Sequence, residues 1–536
     1  MKKLFFVIYL LSLTFAQSQN GKLSPKFYKD KREVFREKMP ENSVAVLFSA
    51  PIRNRANDVD YVFHQDPNFF YLTGWHQPHS VLMIYKNPQF DELGSFNEKI
   101  YILERDEYKE LWNGKRYSVE AVKKLGFERV NTRNHFMNDI SNLSTYDKVL
   151  MFGFNNDIRN QEDDPFDLFD LKAAFKKAIN FPSSFDRELY TVYQHILKAD
   201  DDSIESIREE VKAHVQLDST LVEDEIIKQF LLYSNNDFFT EVKTKTAFAL
   251  RNFNFDLVTL PQIMKDMREI KSDDEIELIK KAVAISVIGQ KEVMKAMHAD
   301  MTEREIQGIH EFVYRKYGAA DEGYPSIVGA GENSCVLHYI ENEKKELDNQ
   351  LVLMDLGAEF YGFTADVTRT IPANGVYSQA QRELYEIVYE AQEKAIQASQ
   401  VGISFDSLYK LSYEIVSSGL IRLGIIDDIS DARSYYPHGL SHHIGLDVHD
   451  PGNYVDLAAD MIITIEPGIY IPAGSPCDPK WWNIGIRIED DILITENGPV
   501  NLSEGAPRKW KEVELLMKQE SVLDAFILPK IETLIK

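Results

Sequence analysis

Short apolar runs alternate with polar, helix-like segments through the first third of the chain. The apolar runs, which are rich in Val, Ile, Leu and Phe and predict strands, are 43–50, 80–85, 99–104 and 147–153. Residues 117–125 predict a helix between the last two of them. This alternation predicts an α/β domain, which we assign to residues 17–185.

A long polar segment without Pro or Gly follows this domain. It begins near Asp186 and contains the acidic stretch D-D-D-S-I-E-S-I-R-E-E-V-K-A-H-V. Because no residue in the segment interrupts a helix, we predict a helical insertion or linker over residues 186–259.

Two pairs of helices are predicted in the second half of the chain from the side chains that cap their first turns. A Ser or Thr followed three residues later by Glu or Gln is typical of a capping box. Such pairs are Ser272 with Glu275, Thr302 with Glu305, and Ser378 with Gln381, and a fourth helix follows Ser404. Each helix pair precedes strands that contain acidic residues. We therefore predict one domain with a weak internal duplication over residues 260–505, followed by a helix and C-terminal tail over 506–536.

Four acidic residues interrupt strands that are otherwise rich in Val, Ile and Leu. Asp355 and Asp366 lie eleven residues apart in V-L-M-D-L-G-A-E-F-Y-G-F-T-A-D-V-T-R-T, and Glu466 and Glu489 lie in I-T-I-E-P-G-I-Y and G-I-R-I-E-D-D-I-L-I-T. Residues 437–450, P-H-G-L-S-H-H-I-G-L-D-V-H-D, separate the two pairs. A bound cation removes the cost of burying a carboxylate in an apolar strand. Four such carboxylates and a histidine are what a two-metal hydrolase site requires.

The upstream acids are predicted to lie on a hairpin that turns around Glu359 and Gly362. If its strands pair about that turn, Asp355 and Asp366 face each other across it. Opposed side chains have Cβ atoms about 5 Å apart, close enough to share two ions about 3.5–4 Å apart. The two downstream glutamates would face each other in the same way from a second strand pair.

These motifs together resemble Xaa-Pro aminopeptidase (aminopeptidase P), a family of dimetal metallopeptidases with the creatinase, or pita-bread, fold. The resemblance covers residues 263–505 closely and about 40–155 more loosely. In the looser part, R-N-R-A-N-D-V-D-Y-V-F-H-Q-D-P-N-F-F-Y-L-T-G-W and E-L-W-N-G-K-R resemble the family's N-terminal domain. In that family this domain helps to wall the site and to build oligomers. Trp112 and Asp58, within these stretches, would either serve that role or be local packing and turn residues. The resemblance implies an α+β fold, a pita-bread catalytic domain preceded by a creatinase-type α/β domain.

The resemblance also implies that five residues bind two divalent metal ions. Asp355 would bind one ion, His442 and Glu466 the other, and Asp366 and Glu489 both. Ligands that are mostly carboxylates favour manganese over zinc. A water molecule that bridges two such ions ionises near neutral pH and would be the nucleophile, with Glu466 taking and passing on its proton.

Five further side chains match the family's substrate and transition-state positions. His338 and His449 would stabilise the carbonyl oxygen and the tetrahedral intermediate in an oxyanion role. His438, Tyr470 and Arg487 would line the substrate site, with Arg487 as a partner for nearby carboxylates.

The doubled histidine at 442 and 443 leaves two candidate ligands. In an extended segment side chains alternate, so His438, Leu440 and His442 share one face and His443 points away. The register of the resembled family independently places the ligand at His442. A bulge in this strand would instead make His443 the ligand.

Two aromatic and two thiol side chains near these motifs each have two interpretations. Trp481 and Trp482 would either flank a pocket for proline or pack in the core. Cys335 and Cys477, the only two cysteines of the chain, would form one disulfide or remain separate buried thiols, and we favour the thiols.

The first residues of the chain predict export. Lys2 and Lys3 precede an apolar run of about 13 residues that ends at Thr14-Phe15-Ala16, the pattern of a secretory signal peptide over residues 1–16. The run is shorter than the roughly 20 residues of a membrane helix, so we predict a periplasmic or extracellular protein without a membrane anchor after processing. The net charge of −25 argues against nucleic acid and against an anionic membrane surface as partners.

Three kinds of protein could have these sequence motifs. The resemblance favours an exported aminopeptidase that hydrolyses the N-terminal Xaa-Pro bond of peptides and assembles as a homo-oligomer. A prolidase, a dipeptidase of the same fold, would cut only Xaa-Pro itself; H-G-L-S-H and the N-terminal domain favour the aminopeptidase. Non-catalytic binding relatives usually lack one or more of the ligands, and creatinase shares the fold without the metals, so the five ligand positions argue against both.

Overall fold

The computed structural model describes residues 23–154, 158–159, 167–200, 202–232 and 236–524. They form two units, Leu23–Met264 and the chain from Lys265 onward. The predicted signal peptide, residues 1–16, lies outside the described residues. Within the described ranges, no helix combines the length and apolarity needed to cross a membrane.

The first unit is built on a mixed six-stranded sheet. Its strands are β1 (Ser43–Phe48), β4 (Val81–Asp91), β5 (Gly94–Ile102), β6 (Val130–Thr132), β7 (Lys148–Leu150) and β8 (Phe255–Asp256), in the order β6-β5-β4-β1-β7-β8. Strand β1 pairs antiparallel with β4 and parallel with β7. All four apolar runs that predicted strands therefore contribute to one sheet. A separate hairpin, β2 (Asn54–Ala56) and β3 (Val59–Asp60), follows β1.

Ten helices accompany this sheet in the described residues. They are α1 (Pro25–Lys38), α2 (Pro67–Thr73), α3 (Glu107–Asn113), α4 (Val119–Lys123), α5 (Phe136–Asp139), α6 (Leu168–Ala178), α7 (Arg187–Lys198), α8 (Ile204–Leu217), α9 (Glu225–Leu232) and α10 (Asn236–Leu250). Helices α7 to α10 occupy the segment predicted as a helical insertion, and Val192, Ile196, Val211 and Ile227 belong to a buried cluster of their own. Strand β8 follows α10 and extends the sheet beyond β7, so the helical segment returns to the sheet that it left.

Two residues singled out in the sequence lie on the surface of this unit. Trp112, in α3, is 72% exposed. Asp58 is also exposed and lies in the turn between β2 and β3. Trp112 is therefore not a packing residue within its own unit, whereas Asp58 has the turn position predicted for it.

The second unit contains the predicted helix pairs. After α11 (Thr259–Arg268), which spans the unit boundary, come α12 (Asp273–Ala296), α13 (Glu303–Lys316), α14 (Gln379–Ala398), α15 (Phe405–Arg422) and α16 (Trp510–Leu516). Helices α12, α13 and α14 each begin with the predicted capping box, and the Ser404 hydroxyl accepts from the Ser407 amide at the start of α15. Helix α12 packs against α13, and α14 against α15.

Each helix pair precedes one group of strands. The first group is β9 (Asp321–Glu322), β10 (Ile327–Ala330), β11 (Leu351–Asp355), β12 (Ala358–Phe360), β13 (Phe363–Thr364) and β14 (Thr368–Pro372). The second group is β15 (Ile462–Ile465), β16 (Gly468–Ile471), β17 (Ile484–Arg487), β18 (Asp490–Thr495) and β19 (Gly498–Asn501). Strands pair in the orders β10-β11-β14, β13-β12-β9, β15-β18-β19 and β16-β17. The repeated order of helices and strands confirms the predicted duplication.

One large buried cluster joins both halves of the second unit. It includes Val352 from β11, Leu384 from α14 and Ile486 from β17. Val513 and Leu516 of α16 belong to the same cluster, so the helix predicted within residues 506–536 is present and packs against the core.

Candidate active site

The residues predicted to bind metal, and most of those predicted to act in catalysis or substrate binding, line one cavity of about 440 Å³ in the second unit. Its lining includes all five predicted metal ligands, Asp355, Asp366, His442, Glu466 and Glu489, together with His338, His438, His449 and Arg487. The fold brings these residues together although 151 positions separate His338 from Glu489 along the chain. The site therefore depends on tertiary structure and not on any single motif.

All four acids lie at the ends of strands rather than within them. Asp355 is the last residue of β11, and Asp366 lies between β13 and β14. Glu466 lies between β15 and β16, and Glu489 between β17 and β18. A strand end has fewer neighbours that fix its side chain, so four carboxylates from different strands can turn toward one point.

The predicted pairing of Asp355 with Asp366 is wrong by two residues. Strand β11 pairs with β14 so that Asp355 lies opposite Thr368. The cause is the turn, whose two residues Tyr361 and Gly362 both have positive φ, 52° and 86°, as a two-residue hairpin turn of type I′ requires. That turn places Phe360 opposite Phe363 and fixes the register of the whole hairpin. Asp366 consequently lies diagonal to Asp355, not facing it.

A tyrosine that the sequence analysis missed joins the two aspartates. The Tyr324 hydroxyl lies 2.6 Å from Oδ1 of Asp355 and 2.6 Å from Oδ1 of Asp366. Tyr324 precedes the two aspartates by 31 and 42 residues, in a stretch without any motif that the sequence analysis recognised. Its one available signal is its position directly before Pro325, at the entrance to β10.

The two glutamates have the opposed arrangement that was predicted. The ladder places Ile465 opposite Asp490 on one side and Gly468 opposite Arg487 on the other. Glu466 and Glu489 occupy the gap between these two pairs at the same level. The Thr368 hydroxyl donates to Oε2 of Glu489 at 2.6 Å, so the residue opposite Asp355 orients one of the glutamates.

His442 and His443 point in different directions. The backbone amide of His442 donates to the Thr464 hydroxyl at 3.1 Å, and the Thr464 amide donates to the His442 carbonyl at 2.9 Å. These bonds hold the His442 backbone, and Nε2 of its ring lies 3.5 Å from Asp366 Oδ2 and 3.6 Å from Glu466 Oε1. The His443 ring is fully buried elsewhere, where burial lowers its pKa to about 3. This alternation is the one expected for an extended segment.

The carboxylates of the site repel one another. Burial, Asp355 and Asp491 raise the pKa of Asp366 well above its usual value. Burial and Glu489 do the same for the pKa of Glu466, and burial, Asp366 and Asp355 for the pKa of Glu489. Burial also acts to raise the pKa of Asp355, but Arg487 and Tyr324 bring it below its usual value.

This donor set suits divalent cations. Ligand atoms of Asp366, His442 and Glu489 lie within 4.8 Å of one another, near enough to share an ion. Asp355 and Glu466 line the same cavity. Cations at the centre would relieve the repulsion that raises the carboxylate pKa values, and oxygen ligands with one imidazole are a hard to borderline set.

The remaining predicted residues surround the carboxylates. The His449 ring lies 4.4 Å from that of His442, centroid to centroid, and burial followed by His442 lowers its pKa. Nε2 of His438 lies 2.8 Å from the Tyr470 hydroxyl, which accepts from Nη1 of Arg487 at 2.9 Å. Nη2 of Arg487 donates to Oδ2 of Asp355 at 2.6 Å. Arg487 thus has the carboxylate partner predicted for it, and Tyr470 lies behind His438 and Arg487.

The two tryptophans and the two cysteines have structural positions. Trp481 belongs to the main buried cluster, with Trp482 packed against it, and neither is among the residues that line the cavity. The Trp482 indole donates to the Ser475 carbonyl at 3.0 Å. Cys335 and Cys477 are both half-buried free thiols. Trp481 is therefore a core residue, as the second of the two interpretations predicted, and Trp482 is a partly buried neighbour of the core.

A buried ionic cluster fixes the loop that carries His449. The Asp450 carboxylate pairs with Arg268 and with Nζ of Lys271, the latter at 2.9 Å, and all three side chains are buried. It also accepts from the Asp447 amide at 3.2 Å, while its own amide donates to the His443 carbonyl at 3.0 Å. Because the cations precede Asp450 by about 180 residues, sequence spacing gave no indication of this cluster.

Asp450→Asn is expected to lower the free energy of unfolding by about 3–5 kcal/mol, because it removes the negative charge that Asp450 places against buried Arg268 and Lys271. Denaturant titration monitored by fluorescence measures this change. Glu277→Gln is the control, since it breaks an exposed pair with Lys280 at 2.9 Å and should leave the midpoint within experimental error. Equal losses in the two variants would show that the cluster contributes no more than a surface pair.

Comparison with known proteins identifies the family of this chain. The model of metallopeptidase family M24 matches residues 277–496, and that of the aminopeptidase P N-terminal domain matches residues 28–151. The Xaa-Pro aminopeptidase of Haemophilus influenzae is 31% identical over 511 residues, which cover 93% of this chain and 98% of the relative. The Escherichia coli protein of that name is 29% identical over 510 residues with the same coverage. The chain belongs to the aminopeptidase P family.

Solved structures of this family have the same fold. Aminopeptidase P from E. coli with the inhibitor Pro-Leu has a TM-score of 0.70 at 29% identity, covering 92% of this chain and 98% of that one. Proline aminopeptidase P II from Yersinia pestis has a TM-score of 0.71 at 28% identity, covering 92% and 99%. The predicted fold, an aminopeptidase P N-terminal domain followed by an M24 pita-bread domain, is confirmed. The prediction that the chain is an enzyme, a metallopeptidase, is confirmed with it.

Proposed function

We propose that this member of the aminopeptidase P family hydrolyses the N-terminal Xaa-Pro bond of peptides with proline in second position. The observation that carries the proposal is the convergence of all five ligand positions and both oxyanion histidines on one cavity. Relatives named Xaa-Pro aminopeptidase match this chain over 98% of their own length, which supports the same activity here.

We propose the ligand roles that the resemblance to the family implies. Asp355 would hold one divalent ion, His442 and Glu466 the other, and Asp366 and Glu489 both. Two bound ions, which we propose are manganese, would polarise the scissile carbonyl and activate a water molecule as the nucleophile. Asp366 and Glu489 suit the bridging role because an oxygen of each lies within 4.8 Å of the other and of a ring nitrogen of His442.

The other side chains would position the peptide and move protons. The substrate amine would lie toward Asp355, whose second oxygen is held by Arg487 at 2.6 Å. Water adds across the scissile C–N bond, and Glu466, whose pKa is raised by burial and Glu489, suits the transfer of the proton from that water to the departing proline nitrogen. His338 and His449, both in the cavity lining, would donate to the developing oxyanion.

The experiment that tests this proposal compares three peptides with metal-free and reloaded protein. We expect Gly-Pro-Ala to be cleaved at Gly–Pro, Gly-Ala-Ala to be left intact, and the rate to be lost in chelator and restored best by manganese or cobalt. Mass spectrometry of the products identifies the bond that is cleaved, and a time course of the same products gives the rate. A solved E. coli relative is described as zinc-substituted, so zinc belongs in the add-back series.

Each alternative has its own outcome in that comparison. Cleavage of Gly-Pro alone, with Gly-Pro-Ala intact, would make the chain a prolidase. Full activity after rigorous metal removal would contradict the metal mechanism. Protein that binds metal but cleaves none of the three peptides would instead be a non-catalytic relative.

We also propose that the protein is exported, because residues 1–16 have the pattern of a signal peptide. We propose a periplasmic or extracellular enzyme, which would act on peptides before they enter the cytoplasm. N-terminal sequencing of the protein recovered from outside the cytoplasm would start near Gln17 if the segment is removed.

A further inference from the structure

Tyr454 lines the cavity that contains the five proposed ligands, although it lies outside the motifs that resemble the family. Its side chain is 46% exposed and borders the same cavity as the five ligands. Its backbone has φ of 43°, in the left-handed region that a bulky residue rarely adopts. A strained residue at the wall of an active site persists only where the surrounding structure holds it, which makes it a candidate for function.

The chain on both sides of Tyr454 is anchored. Before it, the Asn453 amide donates to Oε2 of Glu269 at 2.9 Å, and its side-chain amide donates to Asp266 at 3.0 Å. After it, the Val455 carbonyl accepts from the Phe405 amide at 3.0 Å, and Asp456 forms an isolated bridge with Ser404. These contacts fix the backbone that presents the ring, so the strained conformation is built into the loop.

Two aromatic rings support the Tyr454 ring from behind. The His443 and Phe405 rings lie 5.0 and 5.1 Å from it, centroid to centroid. The His443 ring is fully buried, and neither of its nitrogens has a hydrogen-bond partner among the described residues. Gly452 lets the loop approach this ring, because a Cβ there would lie 2.1 Å from it. The His443 ring therefore packs against the Tyr454 ring as an apolar group and holds it at the wall of the cavity.

The location of Tyr454 indicates which part of the substrate it meets. Its support, His443, is the neighbour of His442, and Glu466 contributes to its electrostatic environment. In the proposed function, His442 and Glu466 hold one ion and Asp355 holds the other. Since the substrate amine is proposed to lie toward Asp355, the peptide beyond the scissile bond would run toward the ion that His442 and Glu466 hold.

We propose that Tyr454 is a substrate-binding residue whose ring packs against the peptide that follows the scissile bond, the proline and the residue after it. This assignment rests on the proposed function. An aromatic ring held rigid binds an apolar pyrrolidine ring with little loss of conformational entropy. The ring supplies the contact, and the hydroxyl is not required for it.

The test measures binding of Pro-Leu and hydrolysis of Gly-Pro-Ala by Tyr454 variants. Pro-Leu has the form of a product after cleavage at Xaa-Pro, and its affinity is measured by calorimetry on the manganese-loaded protein. We expect Tyr454→Ala to weaken Pro-Leu binding about tenfold and to raise KM for Gly-Pro-Ala by a similar factor, with the change falling on KM rather than kcat. Tyr454→Phe should restore affinity to within about threefold of the wild type.

Two further variants separate the ring from the backbone. Tyr454→Gly also removes the ring but tolerates positive φ without strain, so it should fold at least as well as the alanine variant and bind Pro-Leu as weakly. Tyr317→Ala is the matched control, because Tyr317 is 48% exposed in the same unit and is not among the cavity-lining residues.

The outcomes distinguish this proposal from the proposed function. Wild-type protein that does not cleave Gly-Pro-Ala contradicts the proposed function whatever the variants do. Wild-type protein that cleaves it, with Pro-Leu affinity unchanged in both the alanine and glycine variants, overturns the role of Tyr454 alone. A loss confined to kcat, or a wild type that does not bind Pro-Leu, would also overturn it.

Discussion

Alanine at Asp366 or at Glu489 is expected to reduce peptide hydrolysis at least about a hundredfold, a loss larger than that from any other single acid of the site. Replacing a residue that only orients a metal ligand already costs about 10–100-fold, and these two are proposed to contact both ions. An oxygen of each of these residues and a ring nitrogen of His442 lie within 4.8 Å of one another. Both variants should therefore lose two ions per chain, whereas Asp355→Ala should lose one.

Metal analysis of the purified variants after dialysis against manganese, together with the peptide assay, checks this expectation. Glu303→Gln is the matched control. Glu303 is a buried acid of the same unit that accepts from the Ala330 and Lys344 amides, and it does not line the cavity. It should keep both ions and most activity. Two ions retained in Asp366→Ala or Glu489→Ala would contradict the bridging roles.

His442→Ala is expected to abolish activity and to weaken one metal site, while His443→Ala keeps both ions and most of its turnover. Of these two histidines, only His442 has its ring facing the carboxylates, with Nε2 at 3.5 Å from Asp366 and 4.0 Å from Glu489. The His443 ring instead packs against Phe405 and Tyr454. Its removal should lower the free energy of unfolding by about 3 kcal/mol through the cavity that it leaves, and should weaken peptide binding by releasing Tyr454.

Counting metal ions in the two purified variants decides between the histidines, and thermal unfolding measures the cavity effect. His443→Phe is a useful companion, because it fills the space with a slightly larger apolar ring and should recover much of the stability. Two ions kept in His442→Ala with one lost in His443→Ala would reverse the assignment.

The parts of the fold that sequence predicted well are set by local interactions. The capping boxes at Ser272, Thr302 and Ser378 involve residues three positions apart, so the signal and the contact lie in the same stretch of chain. The choice of His442 over His443 likewise depends on the alternation of side chains along one extended segment. The family motifs supplied the other four proposed ligands, which line the same cavity.

The contacts that sequence did not predict are long-range or depend on register. Tyr324 reaches Asp366 across 42 residues, and Asp450 pairs with a lysine 179 residues earlier. No periodicity encodes such contacts. Tyr454 was missed for another reason, since its significance lies in a backbone angle and in the rings behind it, neither of which a side-chain pattern expresses.

The turn at Tyr361 and Gly362 also constrains how the chain can change in length. Strand side chains alternate between faces, so one inserted or deleted residue in this turn would move Asp366 to the opposite face relative to Asp355. Substitutions there are compatible with the site if they accept positive φ, but a change in residue number is not. Engineered tags or loops inserted into this unit should therefore avoid that hairpin.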